Sequence, residues 1–186
     1  MQDNFIILLV GKSGSGKSTI ANELDNQFGW TQVQSYTTRP RRHQNETGHI
    51  FVNDEQFDKL SDFVAYTEFN GFRYGATQQQ VEDNQIYVID PAGIKYFQEQ
   101  YTGKKNIYIY YIDVPVQTRL ERMIKRGDSA GKALSRLKHD KEAFKTIDDI
   151  ENVIYINNEN LYDAVSKVHI SVVVQQCMQD IQKEKD

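Results

Sequence analysis

The chain is poor in features that fix a fold covalently or anchor it in a bilayer. A single cysteine, Cys177, among 186 residues excludes an internal disulfide framework and fits a reducing, cytoplasmic compartment. No apolar run approaches the roughly 18 residues of a membrane span. The first segment, MQDNFIILLV, opens with an acid and runs into Gly11 without a small-residue cleavage site, so no secretory leader is expected. Positive charge is also scarce. Lys and Arg total 22 against 26 for Asp and Glu, a net charge of -4, which argues against a general nucleic-acid binder. Neither an internal repeat nor a low-complexity linker is present. What remains is a hydrophobic fraction of 39% on a length suited to one domain, enough to bury a core.

Hydrophobic patterning divides the chain into two kinds of segment. Phe5–Val10 is an apolar run followed by a Gly/Ser-rich turn and then Ile20, Leu24 and Phe28 at helical spacing, a strand, loop and helix in succession. Further apolar runs at Ile86–Ile89, Ile107–Ile112 and Val153–Ile156 read as buried parallel strands. Helices are expected near 92–100, 116–126, 130–147 and 160–179, with Pro91 and Pro115 suited to first turns. This alternation predicts an α/β fold with a parallel sheet and right-handed crossovers. Residues 30–75 differ. Their short alternating runs, HIFVN, DFVAYTEF and FRYG, predict a small antiparallel lobe inserted into the parallel core.

Gly11-Lys12-Ser13-Gly14-Ser15-Gly16-Lys17-Ser18 fulfils G-x-x-x-x-G-K-[ST], with a predicted strand before it and a helix after. Such a loop curls backbone N–H groups around phosphate oxygens, and the helix N-terminus adds partial positive charge. Lys17 would reach the terminal phosphates, Ser18 would ligate Mg2+, and Thr19 continues the site. ATP with Mg2+ is the expected ligand. A second cluster, SYTTRPRR, packs Arg39, Arg41 and Arg42 around Pro40 in an acidic chain. Arg39 and Arg42, three apart, can offer planar forks to a second anion. A solvated basic loop is the other reading.

Taken in order, GKSGSGKST, SYTTRPRR, FNGFRYG, the strand ending VIDPAG, RMIKRG and the RL at 136–137 resemble the guanylate kinase family over about Phe5–Val174. The resemblance implies a P-loop NTPase-like parallel sheet flanked by helices (about 1–34 and 76–186), an inserted acceptor-binding lobe (about 35–75) and a helical lid (about 122–147). It also implies phosphoryl transfer from ATP to a small phosphorylated acceptor, with GMP or dGMP first. Arg39 and Arg42 match the pair that grips the acceptor phosphate, with Ser35 and Tyr74 beside it. Arg122, Arg126 and Arg136 match lid arginines that reach the transferring phosphoryl group, and Asp90 matches a strand-end carboxylate facing the acceptor base.

The sequence departs from the family pattern at three places. Ala65 stands where the family has a guanine-reading glutamate, Val88 replaces a second strand acid, and His49 occupies the place of a phosphate-binding tyrosine. Glu68 is near, yet strand alternation puts it on the face of Tyr66 and Val64 rather than of Ala65, unless a bulge intervenes. His49 resembles what ribose 1,5-bisphosphate phosphokinases carry, and is equally consistent with a structural histidine. Another nucleoside monophosphate or ribose 1,5-bisphosphate therefore stays open as acceptor, as does a non-catalytic phosphoprotein-binding module. The other histidines, His43, His139 and His169, show no metal spacing. Asp90 and Asp113 both end apolar strands, and either could orient Mg2+ through water. A monomer or a homodimer is equally compatible with the sequence.

Overall fold

The computed structural model describes residues 4–41, 44, 46–69 and 71–183. All six side chains of β1 (Phe5–Val10) are fully buried, which is why the run is continuous rather than alternating. Its faces serve two separate apolar clusters. Phe5, Ile7 and Leu9 pack with Ile20 and Leu24 of α1 (Lys17–Phe28) and with Val165, Val168 and Val172 of α7 (Leu161–Lys183). Ile6, Leu8 and Val10 pack with Ile94 and Phe97 of α4 (Pro91–Gln100). Burial of each such side chain contributes about 1.5–3 kcal/mol.

The central sheet has the order β6-β1-β7-β8, with β6 (Ile86–Val88), β7 (Asn106–Asp113) and β8 (Val153–Asn157) all parallel to their neighbours. Its strands carry the helices expected between them. Asp90 caps α4 with Pro91 in the first turn, and Pro115 is the residue before α5 (Val116–Lys125). One boundary moves. The helix expected over 130–147 is α6 (Ala130–Ala143), followed by a 3-10 turn at Ile147–Asp149, because Phe144, Ile147 and Ile150 turn into the second apolar cluster.

The inserted segment forms its own sheet in the order β3-β2-β5-β4, from β2 (Ser35–Thr37), β3 (His49–Phe51), β4 (Phe63–Phe69) and β5 (Phe72–Thr77). It is mixed rather than wholly antiparallel, since β2 and β3 run parallel. A parallel pair needs a long return connection, and residues 38–48 provide it, carrying Arg39 and Arg41. Two short helices, α2 (Asp54–Phe57) and α3 (Gln78–Glu82), follow reciprocal caps at Asn53 and Thr77. Among the described residues no helix is long and apolar enough to cross a membrane.

Candidate active site

The turn between β1 and α1 depends on backbone angles that side-chain-bearing residues avoid. Gly14 and Gly16 have φ of +79° and +92°, and a Cβ at Gly14 would stand 2.6 Å from the Arg119 carbonyl oxygen of α5. Asn158, just after β8, donates to the Ser15 carbonyl at 2.7 Å and lies against Gly16. The Lys17 ammonium donates to the Gly11 carbonyl at 2.5 Å. Burial lowers Lys17 to about 8; the Asp140 carboxylate opposes that shift, while Arg126, Arg119 and Arg136 reinforce it. Ser15 is buried, with its hydroxyl lacking a hydrogen-bond partner, whereas Ser18 and Thr19 are exposed on the first turn of α1.

A cavity of about 790 Å³ begins at Gly11, Ser13 and Lys17 and extends into the lobe. Ser35, Arg39, His49 and Tyr74 line it from the second sheet, and Asp90 from the start of α4. The parallel register sets Ser35 opposite His49, and the Ser35 hydroxyl meets the His49 Nδ1 at 2.9 Å. Tyr74 stacks edge-on against His49 with ring centroids 5.7 Å apart. Arg39 is 8% exposed and donates two bonds to Glu46, at 2.8 and 3.2 Å, while its Nε has no partner. Glu46 and the Pro40 carbonyl, 2.8 Å from Nη1, orient the guanidinium, and the Nε donor stays unspent. Arg42 and His43 lie outside the described residues.

The bulge that would change the β4 pattern is present. Register shifts between Phe63 and Ala65, so Val64 and Ala65 are both buried. Beyond it Tyr66 donates to Glu68, and Ala65, Tyr66 and Glu68 all line the cavity. Ala65 and Val88 make that part of the wall apolar, with Glu68 and Asp90 supplying carboxylates. Asp90 Oδ1 accepts from the Gly93 N–H at 2.6 Å, so one of its oxygens is committed to the helix cap.

The three arginines beyond residue 120 have different surroundings. Arg122 donates to the carbonyls of Asn158 (2.7 Å) and Ser15 (3.4 Å) and so leans on the loop. Arg126 is 47% exposed and pairs with Asp128 at 2.6 Å. Arg136 lines the cavity, 3.7 Å from Asp128.

Several residues at this site carry no signal of their own in the sequence. Tyr87 lines the cavity between Ser35 and Asp90; burial foremost, and then the Asp90 charge, push its hydroxyl pKa upward, while a bond with Ser35 opposes them. Asn158 braces the loop from a strand end. Arg119 and Asp140, 21 residues apart on α5 and α6, form a buried pair at 3.1 Å against Ser13. A lone Arg and a lone Asp on amphipathic helices read as surface residues until the helices are packed. Among the described residues no cluster of three or more His, Cys, Asp or Glu could hold a metal by itself.

Comparison with known proteins finds one family pattern over nearly the whole chain. The guanylate kinase family model matches residues 3–175. The guanylate kinase of Clostridium tetani is 29% identical over 193 residues, covering 97% of this chain and 90% of that protein. That of Bartonella henselae is 25% identical, covering 88% and 78% respectively. Among solved structures, the guanylate kinase from Anaplasma phagocytophilum aligns with a TM-score of 0.61 at 20% identity, over 95% of this chain and 88% of that one.

Proposed function

Since the chain belongs to the guanylate kinase family, we propose that it transfers the terminal phosphoryl group of ATP to GMP or dGMP. It is a phosphotransferase of the nucleoside monophosphate kinase kind. The observation that carries the reading is the single cavity joining Lys17 and Gly11 to Ser35, Arg39, His49, Tyr74 and Asp90. A triphosphate on the loop and a monophosphate in the lobe meet across it.

The chemistry needs little from the protein beyond charge and position. An acceptor monophosphate, with a second pKa near 6, is already an anionic nucleophile at neutral pH, so no general base is required. One of its oxygens attacks the γ-phosphorus, the bond to the bridging oxygen breaks, and the electron pair leaves with ADP. The obstacle is repulsion between two polyanions. Lys17 serves the donor phosphates; Arg39 and Arg42 hold the acceptor phosphate with Ser35, His49 and Tyr74. Arg136 and Arg126, with Arg122 behind them, neutralise the charge that builds on the transferring group; a single such arginine is worth about 10^3 to 10^5 in rate. Ser18, exposed at the start of α1, is an oxygen donor suited to Mg2+ brought in with the nucleotide, and the Asp113 carboxylate at the end of β7 would orient that ion through water. That ion would supply further charge neutralisation. Guanine N–H donors are read by Asp90 and Glu68, with Ser35 beside them. We place the enzyme in the cytoplasm, as a monomer or a homodimer.

The test is ADP release with ATP-Mg over a panel of GMP, dGMP, AMP, CMP, UMP and ribose 1,5-bisphosphate, with Lys17→Ala as blank. Preference for GMP and dGMP is expected. Indifference to guanine, or preference for the bare sugar phosphate, would overturn the acceptor assignment.

A further inference from the structure

Ser13 ties the loop to α6, and its donors are already engaged. Its backbone N–H donates to Asp140 Oδ2 at 2.9 Å and its hydroxyl to Asp140 Oδ1 at 3.0 Å. Arg119 donates to the same Oδ2 at 3.1 Å and to the Ser13 carbonyl at 3.3 Å. Asp140 is 4% exposed, lines the cavity with Lys17, and lies close enough to Lys17 for its charge to be felt there. A carboxylate that takes a loop N–H, a loop hydroxyl and a guanidinium has the partners that a phosphate oxygen pair would take. It also places a negative charge where the donor's terminal phosphate has to approach, and like charges so close repel strongly.

We propose that the Asp140 carboxylate, held by Arg119, is an internal competitor for the terminal phosphate of the donor, so that nucleotide and helix α6 exchange places on the loop at Ser13. This rests on the loop being the ATP site. Binding of the triphosphate releases Asp140 from Ser13, and α6 shifts with it because Asp140 is a short side chain with little reach. The affinity of the free enzyme for ATP is therefore set below what the loop alone would give, and Arg119 is the group that keeps the displaced carboxylate nearby. A merely structural role for Asp140, pinning α6 to the loop, makes the opposite prediction: loss of the carboxylate would loosen the loop and weaken nucleotide binding.

Calorimetric titration of ATP and of inorganic tripolyphosphate into wild type and Asp140→Asn decides between them. The asparagine keeps the shape and one acceptor while removing the charge, and both ligands should bind about tenfold tighter or more. Unchanged or weaker binding in the variant overturns the competition. Arg119 beside a neutral partner could prevent that variant from folding, so a second measurement uses the native pair. Spin labels at the exposed positions Lys138 on α6 and Asn26 on α1, introduced as Lys138→Cys and Asn26→Cys in a Cys177→Ser background, report the distance between the helices. Tripolyphosphate should change the distance distribution; saturation of the site without any change overturns the proposal. Absence of ATP binding to wild type would defeat the kinase reading itself, whereas binding without tightening in Asp140→Asn defeats only the competition.

Discussion

The donor and acceptor sites proposed above face one cavity, and they are built from different materials. The proposed donor loop is backbone: its path rests on the positive φ of Gly14 and Gly16, with Asn158 and Arg122 holding the Ser15 carbonyl and the Arg119 carbonyl close against Gly14. The acceptor site is side chain: Ser35, Arg39, His49 and Tyr74 come from three strands and a connection, each fixed by a partner such as Glu46. A backbone site tolerates change at most of its side chains but not in its angles. A side-chain site is the reverse, and can be retuned one residue at a time, as Ala65, Val88 and His49 illustrate.

The largest effect is expected at Lys17, the side chain proposed to meet the donor phosphates. Lys17→Met should lower kcat/KM by about 10^3 with no large change in acceptor binding; steady-state kinetics within tenfold of wild type would break the comparison on the donor side. Next comes Arg39→Ala. It should raise the acceptor KM by about 10^2 and leave ATP affinity within about threefold. Equal loss of both ligands would mean that the two sites are not separate.

A smaller effect concerns pH. Lys17 is lowered to about 8 by burial, so between about 8 and its ordinary 10.5 the unfolded chain holds a proton that the folded chain has released. Stability then rises with pH across that window. The Tm of wild type relative to Lys17→Met should increase from pH 8 to 10.5, and a constant difference would show that the ammonium is not desolvated. The smallest separates two duties of one carboxylate. Asp90→Ala should cost about 1 kcal/mol from the lost cap of α4, whereas Asp90→Asn, an equally good cap, should cost almost none. Both should reduce discrimination for guanine; selectivity retained in Asp90→Asn would remove Asp90 from base reading.

The same contrast decides what could be read from the letters. Phe5–Val10 and the loop after it are local, so apolar content and glycine spacing were sufficient to find them. The central helices followed from periodicity, except where Phe144 and Ile147 left the helix to fill the second cluster. The lobe was harder. Its parallel β2–β3 pair depends on a long connection, and the bulge between Phe63 and Ala65 leaves no mark in a hydrophobic pattern that simply continues. Arg119 with Asp140, and Tyr87 beside Ser35, exist as pairs only after distant elements meet, and no spacing rule encodes them.

The second apolar cluster has one more implication. Val64, Ala65 and Ala76 of the inserted sheet belong to the same cluster as Ile6, Leu8, Val10, Ile94 and Phe97. The insertion interrupts the chain order of the parallel sheet, and beside its own Phe57, Phe63 and Tyr66 group it relies on that shared cluster for its core. Its folding is therefore conditional on that of β1 and α4, and the whole should melt as one cooperative unit instead of shedding the lobe first. The same shared oil layer limits mobility: any swing of the lobe away from the loop must slide those side chains past α4 without uncovering them, which favours a small shear over a wide hinge.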